Sequence, residues 1–298
     1  LIHPAPHAEE ALNPGGGVHM PVDLSMVGKR LESTRFTYTE KDVMLYALGV
    51  GAGTDELQFT YERDLVVLPT FGVIPAFPAL FTMGTVMSVN PLMVLHGEQR
   101  IELYSALPTR GTLTTTPTIR AIYDKGSGAL VLIDAETVDE QGRLLCKNTF
   151  GAFARGEGGF GGGRGPSGPK NVPPDRQPDA VVEQRTLPQQ ALIYRLSGDM
   201  NPLHADPDFA KLAGYERPIL HGLCTFGHVG RAVLRSFCDD DPRRLRMLEV
   251  RFSGVVFPGE TIVTEMWKNG PGQLIVRART KERGEVTISA AGAAVAEK

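Results

Sequence analysis

Between residues 219 and 237 the apolar side chains return at spacings of three and four. Leu220, Leu223, Phe226, Val229, Val233 and Phe237 form the series. That spacing paints one face of an α-helix, and Pro218 just ahead of it marks where the helix starts. Downstream the runs shorten. Leu248 to Phe252, Thr261 to Trp267, Leu274 to Thr280 and Val286 to Ala294 are separated by polar turns, which predicts antiparallel strands. One long helix followed by a meander is an α+β layer pattern, in which a sheet with one apolar face wraps around the helix.

The stretch 156–179 interrupts these patterns. It carries Gly158, Gly159, Gly161, Gly162 and Gly163, then Pro166, Pro169, Pro173 and Pro174, and can sustain neither a helix nor a central strand. It reads as a linker between a unit at 20–155 and a unit at 180–298. The two sides resemble each other. Tyr46 to Gly51 aligns with Tyr194 to Asp199 at an offset of 148 residues. Near the same offset Leu107 to Leu113 matches Val256 to Ile262, a proline and glycine turn leading into a strand. Val138 to Leu144 matches Thr280 to Val286, a polar turn between two strands. Repetition in this order predicts two similar units, with the first-half helix starting near Phe71-Gly72.

Composition narrows the class. The 298 residues are 42% hydrophobic and 22% charged, with a formal charge of −3, which is ordinary for a globular chain and gives no global basic field for nucleic acid. Cys146, Cys224 and Cys238 are too few and too widely spaced for a disulfide framework or a zinc pair. No apolar run reaches the roughly 18 residues that span a membrane. Residues 1–19, ending Gly15-Gly16-Gly17-Val18-His19 before Met20, read as an appended leader, so His3, His7 and His19 are set aside. The terminal Ala296-Glu297-Lys298 is not a peroxisomal address of the SKL type.

Chemistry concentrates in Tyr194 to His204, which includes Gly198-Asp199-Met200-Asn201-Pro202-Leu203-His204. Asp199 and His204 lie five apart across a proline, so no regular helix holds them, and Pro202 biases Asn201 toward extended backbone. A bend there can aim a carboxylate and an imidazole at one water, the arrangement of a general acid/base pair. The same residues admit a plainer role, an Asx-stabilised turn with a histidine packed beside it. Metal binding by His204, Asp206 and Asp208 is disfavoured, because Asp206 with Pro207 is better explained as a helix cap. At Pro218 to Leu223, Gly222 opens the long helix. Its N–H has no partner within the helix and lies at the positive end of the dipole. Lacking a Cβ, it would let a developing oxyanion approach. Tight packing accounts for the same glycine, and His221 and His228 read as packing residues.

The run Tyr194 to His204, with its Gly-Asp-x-Asn-Pro-x-His core, resembles the signature of the hydratase 2 family of 2-enoyl-CoA hydratases. Pro218 to Gly227 (PILHGLCTFG) is similar to that family's hot-dog helix. Tyr46 to Gly51, Leu68 to Val73, Leu95 to Gln99 and Asp124 to Gly128 also look like the hydratase unit of peroxisomal multifunctional enzyme type 2. The likeness runs from about Phe36 to the C-terminus. It implies a double hot-dog fold with the active site in the second half alone, since Gly51 to Asp55 carries no Asn-Pro-x-His. It also implies a lyase that hydrates trans-2-enoyl-CoA to the (3R)-3-hydroxyacyl thioester without metal or redox cofactor. In that reading Asp199 and His204 are catalytic, Asn201 orients His204 or the water, and Gly222 N–H holds the thioester oxygen. His96, Gly97, Lys125, Met200, Pro202, Leu203 and Phe252 fall at substrate contacts, with Lys125 suited to a phosphate. A homodimer is expected by likeness, and the chain looks like a stand-alone relative, cytoplasmic if bacterial and peroxisomal if eukaryotic. A dehydratase of acyl-carrier-protein thioesters and a non-catalytic acyl-CoA binding protein remain as alternatives. A hot-dog thioesterase fits less well, because Leu223 to Arg235 offers no acid on the central helix.

Overall fold

The computed structural model describes residues 22–88, 90, 93–166 and 170–297. The leader assigned to 1–19, and Pro169 of the expected linker, lie outside them. The first half runs β1 (Thr34–Tyr38), α1 (Glu40–Gly49), α2 (Leu57–Thr60), α3 (Val73–Ala76), β2 (Val94–Leu103), β3 (Gly111–Asp124), β4 (Gly128–Val138) and β5 (Leu144–Arg155). The second runs β6 (Ala180–Arg185), α4 (Gln190–Tyr194), α5 (Pro207–Leu212), α6 (Gly222–Phe237), β7 (Leu245–Phe252), β8 (Thr261–Lys268), β9 (Gln273–Thr280) and β10 (Val286–Val295). Tyr46 and Tyr194 fall in the corresponding helices α1 and α4, and the matched turns lead into β3 and β8 or join β4–β5 and β9–β10.

The ten strands make one antiparallel sheet in the order β1-β3-β4-β5-β2-β7-β10-β9-β8-β6. Its last five members mirror its first five, so β2 and β7 form the seam between two hot-dog units. The seam pairs Glu98↔Arg251 through Glu102↔Met247 and adds cross-strand ion pairs, Arg100–Glu249 at 2.8 Å and Glu98–Arg251 at 2.7 Å. The double hot dog expected from the resemblance is thus a continuous sheet, because two edge strands satisfy each other's hydrogen bonds rather than standing open to solvent.

α6 is buried along almost its whole length, with Leu223, Phe226, Val229 and Val233 among the core residues. At 16 residues it spans about 24 Å. Its core is continuous with the first half through Tyr46, Phe71 and Tyr194. The corresponding first-half segment begins where expected but is not a regular helix. A 3-10 turn at Pro69–Gly72, α3, and a 3-10 run at Phe77–Thr85 follow one another. Pro75 and Pro78 remove backbone donors and clash with the preceding turn, which breaks the ladder. This segment covers β3, β4 and β5 over a second core containing Met83, Ile119, Val131, Ile133 and Phe150.

The Gly/Pro-rich stretch is docked rather than loose along its described length. The Asp124 carboxylate accepts hydrogen bonds from the Gly126, Gly159 and Gly161 N–H groups. Further along, Asn171 bonds Glu249 and the Ala290 carbonyl, and the Trp267 indole donates to the Arg176 carbonyl.

Candidate active site

The bend after α4 is built from three local devices. Gly198 adopts φ 134°, a region that favours glycine. Asn201 N–H then donates to Asp199 Oδ1 at 3.2 Å, closing an Asx turn. Asn201 Oδ1 in turn accepts from Leu203 N–H at 3.0 Å and caps the 3-10 turn Pro202–His204. Asn201 therefore fixes the turn that carries His204 rather than touching its ring. Asp206 caps α5, as expected, by accepting from the Asp208 and Phe209 N–H groups.

His204 points inward and is buried, while Asp199 is partly covered. His204 Nδ1 lies 2.9 Å from the Ile219 carbonyl. A carbonyl can only accept, so Nδ1 carries the proton and Nε2 keeps its lone pair. Burial pushes this imidazole below its ordinary pKa, opposed by the Asp199 charge and the Ile219 carbonyl, while Arg195 adds to the depression. It is a neutral base at neutral pH.

His221 completes a cluster with Asp199 and His204 in which donor atoms of all three lie within 4.8 Å of one another. Its ring stacks on His204, centroids 3.7 Å apart and planes 26° apart. Nearly parallel rings send their in-plane lone pairs side by side, which suits the convergent ligand set of a metal poorly. His221 is also the N-cap of α6 and makes no side-chain cap. The Cys224 and Thr225 N–H groups both reach back to the His221 carbonyl, while Gly222 N–H, at the first helical position, has no acceptor within its helix. The first N–H of this long helix, at the positive end of its dipole, thus has no hydrogen-bond partner among the described residues.

The remaining candidates divide. A Cβ on Gly222 would lie 3.2 Å from the Phe252 ring, and Phe252 meets His96 edge-on at 5.1 Å. These two rings therefore form a wall under the first turn of α6. His96 itself is turned inward, with Nε2 3.1 Å from the Glu98 carbonyl and burial pushing it down to about 4. Gly97 is the extra residue of a bulge, since His96 faces Ala152 and Glu98 faces the adjacent Gly151. Met200 and Pro202 are exposed beside Asp199, and Leu203 is half-buried. Lys125 stands on the β3–β4 turn, its ammonium 2.5 Å from the Arg164 carbonyl. Among the described residues no hydrogen bond or ring contact joins it to Asp199 or His204. His221 is the member that its sequence position concealed. Its one signal was adjacency to Gly222, which obliges its side chain to lie at the helix start.

The family description "MFE-2 hydratase 2 N-terminal domain" matches residues 36–156, and "MaoC like domain" matches 170–292. The chain is 43% identical over 290 residues to the probable enoyl-CoA hydratase 2 of Dictyostelium discoideum, covering 93% of this chain and 98% of that protein. It is 46% identical over 274 residues to the peroxisomal multifunctional enzyme type 2 of Mus musculus, covering 88% of this chain and 37% of the longer mouse protein. A crystal structure of a MaoC-like dehydratase from Phytophthora capsici superposes with a TM-score of 0.84 at 35% identity, covering 93% of this chain and 99% of that one. The fold and the site define a two-unit hot-dog protein of the MaoC-like class. Within that class the chain belongs to the hydratase 2 family.

Proposed function

We propose that the protein adds water to trans-2-enoyl-CoA and releases the (3R)-3-hydroxyacyl thioester, or runs the reverse dehydration. The observation that carries this is the convergence of the Asp199 carboxylate with the imidazoles of His204 and His221 within 4.8 Å, with His204 Nε2 left bare, next to the start of α6, where His221 is the N-cap and Gly222 the first residue. In this reading Asp199 accepts one hydrogen of the water and orients it, and His204 Nε2 takes the other proton as the oxygen bonds to C3. Charge moves onto the thioester oxygen, where Gly222 N–H and the helix dipole hold it. The proton on His204 then passes to C2, and the enolate collapses with the elements of one water added. Oxygen and proton arrive on one face, so addition is syn. The hand of the product rests on the family likeness. That likeness also supports CoA as the carrier and a homodimer.

The test is hydration of crotonyl-CoA and one long-chain enoyl-CoA, followed at the enoyl-thioester absorbance, with chiral chromatography of the product. A 3R product without added metal or nicotinamide is expected. A 3S product or an enzymatic racemate would overturn the assigned geometry. The corresponding acyl-carrier-protein thioesters should react more slowly.

A further inference from the structure

His221 is more than a packed ring before a helix. Its Nε2 lies 3.1 Å from the backbone carbonyl of Asp199, so Nε2 carries the proton and donates it. Its Nδ1 is buried with no hydrogen-bond partner among the described residues. One face of the ring lies on His204 at 3.7 Å, and the Tyr194 ring packs at 4.8 Å. The next residue is Gly222, whose N–H is the free donor of α6. One side chain therefore grips the peptide that carries the carboxylate, backs the imidazole that carries the base, and is covalently joined to the oxyanion donor. Left unpaired, a buried ring nitrogen costs stability, and such a group in a native structure invites a functional explanation.

We infer that His221 is a positioning residue for hydration: its Nε2–H fixes the Asp199 turn against the start of α6 and its ring face fixes the plane of His204. The two side chains, at opposite ends of one bend, are thereby held in reach of one water. This rests on reading Asp199 and His204 as the acid/base pair. The ring must remain neutral to do it, because a second cation stacked on His204 and close to Arg195 would repel both. Burial, His204 and Arg195 push its pKa well down, and the Asp199 carbonyl opposes them. The titratable and charged groups around it are His204, Asp199, Arg195 and Tyr194.

Two substitutions in the full chain separate the functions of the ring. His221→Phe keeps an aromatic face on His204 and removes the N–H. His221→Gln keeps an N–H at similar reach and removes the face. If the donor is the dominant element, His221→Phe lowers kcat by roughly 10- to 100-fold, the scale of a misplaced catalytic group. KM for crotonyl-CoA then moves by less than about threefold, since substrate binding is not what is lost. His221→Gln recovers most of the kcat. Because the Asp199 charge raises the His204 pKa, a carboxylate that drifts away also moves the acid limb of the kcat profile of His221→Phe to lower pH. His221→Phe with wild-type kcat and an unchanged pH profile would overturn the inference, as would equal loss of kcat in both variants. A variant that fails to fold does not end the test. In the wild-type protein, ¹⁵N NMR should find His221 protonated on Nε2 and His204 on Nδ1, opposite tautomers on adjacent rings. A His221 proton on Nδ1 would overturn the inference directly. Asp199→Asn assayed in parallel keeps the underlying reading separate, since full turnover there would remove the pair whatever His221 does.

Discussion

Asp199 and His204 approach one point from the two ends of a bend that Gly198, Asn201 and Pro202 shape between them. The bend is local chemistry and needs little from the rest of the chain. What the rest supplies is the Ile219 carbonyl, which fixes the His204 tautomer, and the start of α6. On the proposed function Asp199→Asn and His204→Gln are each expected to reduce kcat by at least about 100-fold, the usual scale for a lost general acid or base. On the same reading both groups act on one water, so the double variant is expected to lose far less than the product of the single losses. Steady-state kinetics beside a melting curve checks this, and multiplicative losses would mean that the groups act separately. His204 has a depressed pKa, so the acid limb of kcat/KM for the free enzyme falls below the ordinary histidine value of about 6.5.

At the scale of elements, α6 is the member that both halves share. Val50 and Thr70 of the first half press onto it at two glycines. A Cβ on Gly227 would lie 2.3 Å from Val50 Cγ1 and 2.8 Å from its Cβ, and one on Gly230 would lie 2.6 Å from Thr70 Cγ2. Glycine inside a helix costs up to about 1 kcal/mol relative to alanine, so on an open face Gly227→Ala would stabilise. Here the obstructing atoms belong to a stiff β-branched side chain close to its own backbone. Overpacking of about 1–3 kcal/mol outweighs the propensity gain. Gly227→Ala is expected to lower the midpoint of denaturant unfolding without changing the slope, and a raised midpoint would contradict the close approach. The corresponding first-half segment is approached closely at its start, where a Cβ on Gly72 would lie 2.9 Å from Ile101 Cδ1, but Pro75 and Pro78 show how far its regularity has been given up.

Across the whole molecule, the larger of the two cores and a single sheet run through both halves, and a buried ion pair joins them. Arg231 of α6 bonds Glu56 and donates to the Val50 carbonyl at 2.9 Å. Removing one partner of such a pair costs about 3–5 kcal/mol, because the other charge is left buried. The histidines set the response to acid. All four in the described residues are held below the ordinary value: His204, His221 and His228 are buried and His96 is partly buried, with His96 and His228 pushed down to about 4. Below about pH 6.5 the unfolded chain takes up protons at these sites that the folded chain refuses. Their contribution is therefore fully present above pH 6.5 and declines as pH falls toward 4. Denaturant melts at pH 7.5, 6 and 5 should show a steady loss of stability over that window. A flat profile would mean that the rings are not held neutral inside the fold.

The sequence by itself determined what depends on nearest neighbours. Strands β8, β9 and β10 lie within a residue of the expected bounds, because polar turns delimit them. α6 ends at Phe237 as its apolar face implied, but it begins at Gly222 rather than directly after Pro218, which leaves Leu220 ahead of the helix. The Asp199–His204 bend was legible because its glycine, asparagine and proline act within a few residues. Tertiary structure decided what depends on partners far along the chain. Nothing in the spacing of His204 and His221, 17 residues apart, puts one ring on the other. Glu56 and Arg231 meet across 175 residues. The seam at β2 and β7 turns two expected sheets into one, because edge strands have unpaired backbone groups that only a distant strand can satisfy. Lys125, a solitary cation in the sequence, is drawn onto the carbonyl of Arg164, whose position only the folded chain fixes.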